Sequence, residues 1–372
     1  MQVPMTVEDA ALTFVRGLGA RGTVRLMEVF GSARAVYEAG ADRLVAEAEL
    51  NAGIARRISS REGFAEAERE LRRCEREGIR VVASTDSDYP QTMLRGTSDY
   101  PHVLYVMGDV SVLNSAHMLS IVGTRRCSVR SEAVCMKIVG ELAERVEGLC
   151  IVSGLAFGVD SHAHRAALAA GVPTVAFVPS VLPGVVPLQH TRLAGDILSR
   201  GGAIVSELNS STRQNGSFYI ARNRLIASAG EGTLVVESHL KGGSLRTAEM
   251  ADSYYRTVMA VPGRPGDRES AGTNALISRN AARLVCTAAD VADSLDWSLG
   301  PGREAASEPS AEYSAEERAV LGCFAAGETL DPDTIAARCG ADIGSVMSAL
   351  MMLELAGAVR TLPGGACEKI VP

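Results

Sequence analysis

Between residues 79 and 261 the chain alternates short apolar runs with longer amphipathic segments. The runs are too brief for helices and end in Gly, Pro or small hydroxyl residues, which marks them as strands. The pattern predicts strands at Ile79–Ala83, Val103–Val106, Leu119–Val122, Cys150–Ser153, Thr174–Val178, Ala203–Ser206, Gly232–Glu237 and Thr257–Val261. Helical periodicity follows from Ser128 to about Arg145, over Ser161–Ala170, about Leu188–Ser199 and Phe218–Ser228, and again after the loop Lys241–Thr247. Such alternation predicts an α/β fold, an extended Rossmann-like, doubly wound parallel sheet with helices on both faces.

The flanks read differently. Residues 1–78 predict a module of short helices, in which Gly17-Leu-Gly-Ala-Arg-Gly22 precedes an apolar pattern from Val24 to Phe30. A glycine hairpin between helices is similar to the helix-hairpin-helix (SAM-like) element, whose amides can contact DNA phosphates; a plain helical packing module is the alternative. The run Arg56–Arg76 alternates in charge as a solvated helix face does. Residues 297–312 are rich in Gly, Pro, Ser and Glu and read as a linker. Residues 313–372 predict helices at Ala315–Ala326, Asp333–Cys339 and Ile343–Leu355, then a strand at Ala358–Leu362 and a Gly-Gly turn, the order of a winged helix. The sequence thus divides into 1–78, the core 79–296, the linker 297–312 and the tail 313–372.

Charge narrows the possible chemistry. The net charge of −7 confines any nucleic-acid site to a local groove. Only Lys137, Lys241 and Lys369 are lysines, so phosphate recognition would fall mainly to arginine forks. The tail has four basic residues against eight acidic ones, and its third helix has no Lys or Arg. That predicts a protein-contact or accessory role rather than duplex reading. The eight cysteines form no C-x-x-C pair, and no apolar run reaches the ~18 residues of a membrane span. The expectation is a cytoplasmic protein with no membrane contact.

Four loops fall at carboxyl ends of strands, beginning at Gly123, Ser153, Glu207 and Ser238. They bring Arg125, Arg126, Ser128, Ser153, Arg222, Asn223, Arg224, Lys241, Ser244 and Thr247 towards one edge. Glycines allow close approach, hydroxyls donate and guanidiniums supply charge, which together describe phosphate binding. Arg222 and Arg224, two apart on a helix, point to different sides, so one can reach ligand while the other braces the fold. Phe157, Phe218 and Tyr219 lie beside the groove as stacking candidates or as core. Asp160 and His164 share a helix face but give two metal ligands at most, so capping by Asp160 and a packed His164 are expected instead. No metal site, cofactor motif or catalytic acid/base pair is expected.

These motifs carry a family resemblance. Ile121-Val-Gly-Thr-Arg125, Ser153-Gly-Leu-Ala-x-Gly-Val-Asp160 with His164, Arg222-Asn-Arg224, Gly243-Ser-Leu-x-Thr247 and Val261-Pro-Gly263 with Gly272-x-Asn-x-Leu-Ile277 resemble the DNA-processing protein A family (DprA, also called Smf), in order from about 79 to 290. The resemblance implies a non-enzymatic, homodimeric single-strand DNA-binding protein. Such a protein protects incoming DNA in natural transformation and loads the RecA recombinase onto it. It also implies that Gly123, Thr124, Arg125, Ser128, Ser153, Gly154, Gly158 and the Arg222–Arg224 helix line the DNA groove, with Leu276 and Ile277 near the dimer contact. Phe157 stands where the family usually has Lys or Arg, residues 179–183 lack the usual glycine-bearing turn, and Gly243 precedes Ser244 where Ser-Gly is usual. An enzyme is the alternative. Lys241-Gly-Gly-Ser-Leu-Arg-Thr-Ala-Glu249 is similar to the loop of LOG-type Rossmann proteins, phosphoribohydrolases that release bases from nucleoside monophosphates. A duplex-reading tail is the third reading, and its acidic balance opposes it.

Overall fold

In the computed structural model, which describes residues 5–213, 215–300, 313–325, 328–355, 358–362 and 365–369, the apolar runs pair into one nine-stranded sheet. Six short helices precede it: α1 (Val7–Leu12), α2 (Ala20–Phe30), α3 (Ala33–Glu38), α4 (Gly40–Ala48), α5 (Ala52–Ser59) and α6 (Phe64–Arg76). The sheet region then runs β1 (Arg80–Ala83), α7 (Gln91–Leu94), β2 (Val103–Gly108), β3 (His117–Val122), α8 (Val129–Arg145), β4 (Leu149–Ser153), α9 (Val159–Ala169), β5 (Thr174–Phe177), α10 (Thr191–Ser199) and β6 (Ala203–Ser206). It continues with α11 (Ser217–Ala229), β7 (Gly232–Val235), α12 (Gly243–Ser253), β8 (Thr257–Ala260), α13 (Ala271–Ser278), β9 (Arg283–Leu284) and α14 (Ala288–Ser294). The spatial order is β1-β2-β6-β5-β4-β3-β7-β8-β9.

The sheet is the expected doubly wound one, mostly parallel, with an antiparallel edge at β1 and β2. β2 pairs antiparallel with both β1 and β6, while β6 through β9 are parallel. Only a short 3-10 helix, Val110–Asn114, lies between β2 and β3, and antiparallel neighbours need no crossover helix. Strands β4 to β7 are buried throughout, as strands covered on both faces must be. Two apolar layers result, one under α7 and α11–α12 and one under α8, α9 and α14. Each fully buried Leu, Ile or Val there contributes roughly 1.5–3 kcal/mol.

Three expectations about the flanks change. The helices α1–α6 and the sheet form one compact unit, Met1–Pro301, rather than separate bodies at residue 79. Polar bonds tie them together. Asp9 Oδ1 lies 2.8 Å from His102 Nε2, whose Nδ1 is 2.7 Å from Ser84 Oγ. Asn209 Nδ2 donates to the Thr13 carbonyl at 3.1 Å. The charged run is two helices rather than one, broken where Arg61 and Gly63 take positive φ. Its Glu70 is buried rather than solvated, accepting from Ser210 N–H and its hydroxyl and pairing with Arg73 at 2.8 Å. The expected linker also starts too early. Trp297 is buried against the α8 layer and donates its indole N–H to Glu231 at 3.1 Å, and Gly300 N–H donates to the Arg145 carbonyl.

The second unit, Gly302–Pro372, contains α15 (Ala315–Gly322), β10 (Thr329–Leu330), α16 (Pro332–Cys339), α17 (Ile343–Leu355), β11 (Val359–Thr361) and β12 (Cys367–Lys369). Its small sheet has the order β10-β12-β11. Val346, Ala349, Leu350 and Leu353 of α17 are buried, while Ile343, Met347, Met351 and Met352 are exposed. The outward side of this helix is therefore largely apolar, interrupted by Ser348 and Glu354 and without a basic residue. Of the expected linker and tail, residues 301–312, 326–327, 356–357, 363–364 and 370–372 lie outside the described residues.

Burial raises the Asp9 carboxyl pKa, but hydrogen bonds from His102 and Thr6 outweigh it and hold Asp9 below its ordinary 3.8. A depressed acid stabilises fully above its unfolded pKa and loses that contribution as pH falls through the lower folded value. Docking of α1 should therefore weaken below about pH 4. Asp9→Asn should cost about 1.5–3 kcal/mol at neutral pH, the scale of a charge-assisted bond with a buried partner. Thermal melts with hydrogen exchange across Val7–Leu12 check both; unchanged protection in the variant would show that this contact does not hold the helices.

Candidate functional site

The topology creates a switch point between β3 and β7. From β3 the chain winds outward through β4, β5 and β6, returns by α11, and continues outward through β7, β8 and β9. Loops leaving the two adjacent strands diverge to opposite faces and leave a crevice at their carboxyl ends. The loops are locked together by hydrogen bonds. Thr124 N–H donates to the Glu237 carbonyl at 2.8 Å. Ser128 gives Glu237 both its N–H and its hydroxyl, each at 2.8 Å. Ser128 Oγ also caps α8 by accepting from Ser131 N–H at 3.2 Å.

Two glycines allow the β4 loop to join this arrangement. Gly158 has φ +75°, and a Cβ there would lie 2.2 Å from the Thr124 carbonyl oxygen. A Cβ on Gly123 would lie 2.4 Å from Val159 Cγ2. Any side chain at either position would therefore push the β3 and β4 loops apart. The result is a cavity of about 660 Å³ between the β3 loop, α11 and the start of α12.

Arg125, Arg126, Lys241 and Arg246 reach this cavity and are exposed. None of the four has a carboxylate at salt-bridge distance among the described residues. The Arg125 guanidinium lies 5.4 Å from the centre of the Tyr219 ring, a cation–π contact that holds it at the rim. The first turn of α12 has only Gly242 as its cap, with no side-chain acceptor, and Gly242, Gly243 and Ser244 line the wall. Free N–H groups at a helix start favour an anion. Gly123, Thr124, Asn223 and Thr247 complete the wall together with Asp160, His239 and Glu269.

Several expected contacts serve the framework instead. Arg222 touches the cavity wall but is buried, and its Nη1 donates to the carbonyls of Gly154 and Phe177. Burial lowers its pKa, opposed by Asp160; burial raises the Asp160 pKa, opposed by Arg222 and by the N–H groups of Ala156 and Gly154. A Cβ on Gly154 would lie 2.1 Å from Arg222 Nη1 and 2.6 Å from Asp160 Oδ2, so this glycine makes room for the pair. Arg224 points away and pairs with Glu207. Both arginines are thus structural, where one was expected to be free. Ser153 is buried and donates to the Ile121 carbonyl at 2.7 Å, and Ser244 donates to Ser238 Oγ at 2.8 Å. Phe157 is 43% exposed but stands outside the cavity, its ring edge-on to His190 at 4.7 Å.

His164 is packed rather than ligating. Its Nε2 accepts from Leu155 N–H at 3.3 Å, and its Nδ1 lies 2.7 Å from the Thr174 hydroxyl, which itself donates to the Ile151 carbonyl. Burial pushes its pKa down to about 3, so the ring is neutral. Asp160 follows the cap Gly158 by two positions and holds the loop N–H groups rather than capping α9. Among the described residues no three His, Cys, Asp or Glu side chains converge. The sequence reading missed Arg246, His239 and the tie formed by Glu237. Arg246 sits two positions after Ser244 in the motif already singled out, so its position was the available signal.

Comparison with known proteins agrees with this architecture. Residues 80–296 match the model of DNA recombination-mediator protein A, and residues 304–365 match the DprA winged helix domain. Protein Smf of Escherichia coli is 35% identical over 286 residues, covering 75% of each chain. A putative DNA processing protein DprA of Mycobacterium tuberculosis is 29% identical over 340 residues, covering 87% of this chain and 85% of the relative. The solved structure of DprA from Streptococcus pneumoniae superposes with a TM-score of 0.66 at 27% identity, covering 78% of this chain and 98% of that one. DprA from Helicobacter pylori gives 0.52 at 28% identity, covering 59% and 97%. With a core match spanning more than half its length, and a second match to the family's winged helix, the chain belongs to the DNA processing protein A (DprA/Smf) family of DNA recombination mediators.

Proposed function

We propose that this chain binds single-stranded DNA along the switch-point cavity, protects it, and passes it to the RecA recombinase, acting as a homodimer in the cytoplasm without catalytic turnover. The observation that carries the reading is the set of unpaired cations, Arg125, Arg126, Lys241 and Arg246, around one cavity of a chain with net charge −7. Unpaired basic charge gathered around one groove attracts a polyanion there. The Helicobacter pylori relative, whose structure is described in terms of its single-stranded DNA binding mode, supports the choice of ligand. Tyr219, half-buried beside Arg125, supplies an aromatic face next to the charges, as single-strand binders use.

No observation favours the phosphoribohydrolase alternative. Glu249, the glutamate that ends the similar loop, is exposed and lines a neighbouring cavity with Leu240 and Met250 rather than the switch-point wall. Nucleoside monophosphates incubated with the protein should release no free base.

Arg125→Ala should weaken single-strand binding by about 1–3 kcal/mol, the scale of one charge-assisted contact. It should also reduce the salt slope by about 0.7, as one phosphate contact is lost. Fluorescence anisotropy of a labelled oligonucleotide at several salt concentrations reads both, and unchanged binding would move the groove elsewhere. Ile277, half-buried on α13, tests the proposed dimer. Ile277→Arg should convert dimers to monomers in sedimentation velocity, while an unchanged dimer would displace the contact from α13. Strand-exchange assays with RecA and single strands coated by a competing binding protein should show a shorter lag when the chain is present. An unchanged lag would remove the loading step from the proposal.

A further inference from the structure

The opposite end of the sheet carries a second cavity, of about 690 Å³, at the amino ends of β7 and β8. Arg95 and Arg256 both line it. Arg256 is anchored by its Nη2, which donates to the backbone carbonyls of Thr92 at 2.5 Å and Arg95 at 2.9 Å. Its Nε is buried and has no hydrogen-bond partner. A buried donor without an acceptor is costly, and a guanidinium donor is more so. The Arg95 side chain is exposed, and among the described residues it makes no ion pair.

Among the described residues, no carboxylate stands at salt-bridge distance from either arginine. Glu231, also on the wall, has its two oxygens taken by Met118 N–H and the Trp297 indole, each at 3.1 Å. Asp296 stands exposed at the rim. Burial and the charge of Arg95 lower the pKa of Arg256, opposed in part by Glu231, so the two guanidiniums disfavour one another.

We infer that this cavity is a second anion site, in which Arg95 and Arg256 take a small phosphate-class anion such as a pyrophosphate or the phosphates of a free nucleotide. An acceptor oxygen there satisfies the Arg256 Nε and relieves the repulsion between the guanidiniums, gains that water supplies only in part. The volume is ample for a small phosphate-class ligand. The site is separate from the switch-point groove, which lies at the carboxyl ends of the strands.

Trp297, the chain's single tryptophan, bonds to Glu231 on this cavity's wall and gives a local readout. Pyrophosphate should change its fluorescence saturably, beyond the effect of chloride at matched ionic strength. Arg95→Ala, which removes an exposed side chain without an ion-pair partner, should raise the half-saturating concentration at least tenfold. Arg125→Ala should leave it unchanged. Equilibrium dialysis of labelled pyrophosphate, run in parallel, detects binding that the indole does not report. No saturable binding by either method, or binding unmoved by Arg95→Ala or weakened by Arg125→Ala, would overturn the proposal. A single-stranded oligonucleotide in place of pyrophosphate separates the two phosphate sources. A response weakened by Arg95→Ala only with the oligonucleotide would assign these arginines to the DNA backbone and overturn the small-anion site.

Discussion

Arg222 is the interaction on which the site geometry depends. From α11 it reaches the carbonyls of Gly154 and Phe177, at the ends of β4 and β5, beside the Asp160 carboxylate of α9. One guanidinium thus joins two strand ends and two helices beneath the cavity. Asp160 in turn holds the N–H groups of Gly154 and Ala156, which shapes the β4 loop. Breaking a buried charge pair of this kind costs about 3–5 kcal/mol, because the remaining charge is left uncompensated. That cost explains why the residue most suited to phosphate binding by chemistry serves as an internal strut.

Above this strut, the loops are held by backbone contacts that only glycine permits. Gly158 presses on the Thr124 carbonyl, Gly123 on Val159, and Glu237 clasps Thr124 and Ser128. The cations at the rim then sit on a rigid base, with only side-chain freedom left to Arg125, Arg126, Lys241 and Arg246. Rigid placement reduces the ordering cost of binding a flexible polyanion.

The tail follows different physics. Its winged helix buries one side of α17 and leaves methionines and Ile343 outward, in a segment with an excess of acidic residues. Such a face lacks the charge that a phosphate backbone requires. It is chemically unlike the basic rim of the switch-point cavity.

The sequence by itself determined the strand–helix alternation of the core as far as β8, its parallel arrangement and the position of the cavity. Strand runs of period and length too short for helices, each ending in glycine and small hydroxyls, leave few alternatives to a doubly wound sheet. It also placed Arg125, Arg126 and Lys241 at the correct strand ends, and gave His164 its packed role. What it could not decide was which polar side chain faces ligand and which faces protein. Arg222, Arg224, Ser153 and Ser244 have the composition of a phosphate site, yet their partners lie 68, 17, 32 and 6 residues away in sequence. For three of them the distances between partners are set by strand order, which no local pattern encodes. The reversed β2, the docking of α1–α6 through Asp9 and the return of Trp297 to the core are likewise long-range pairings. Tertiary structure decided these because a buried polar group takes whichever partner the topology brings within hydrogen-bond reach.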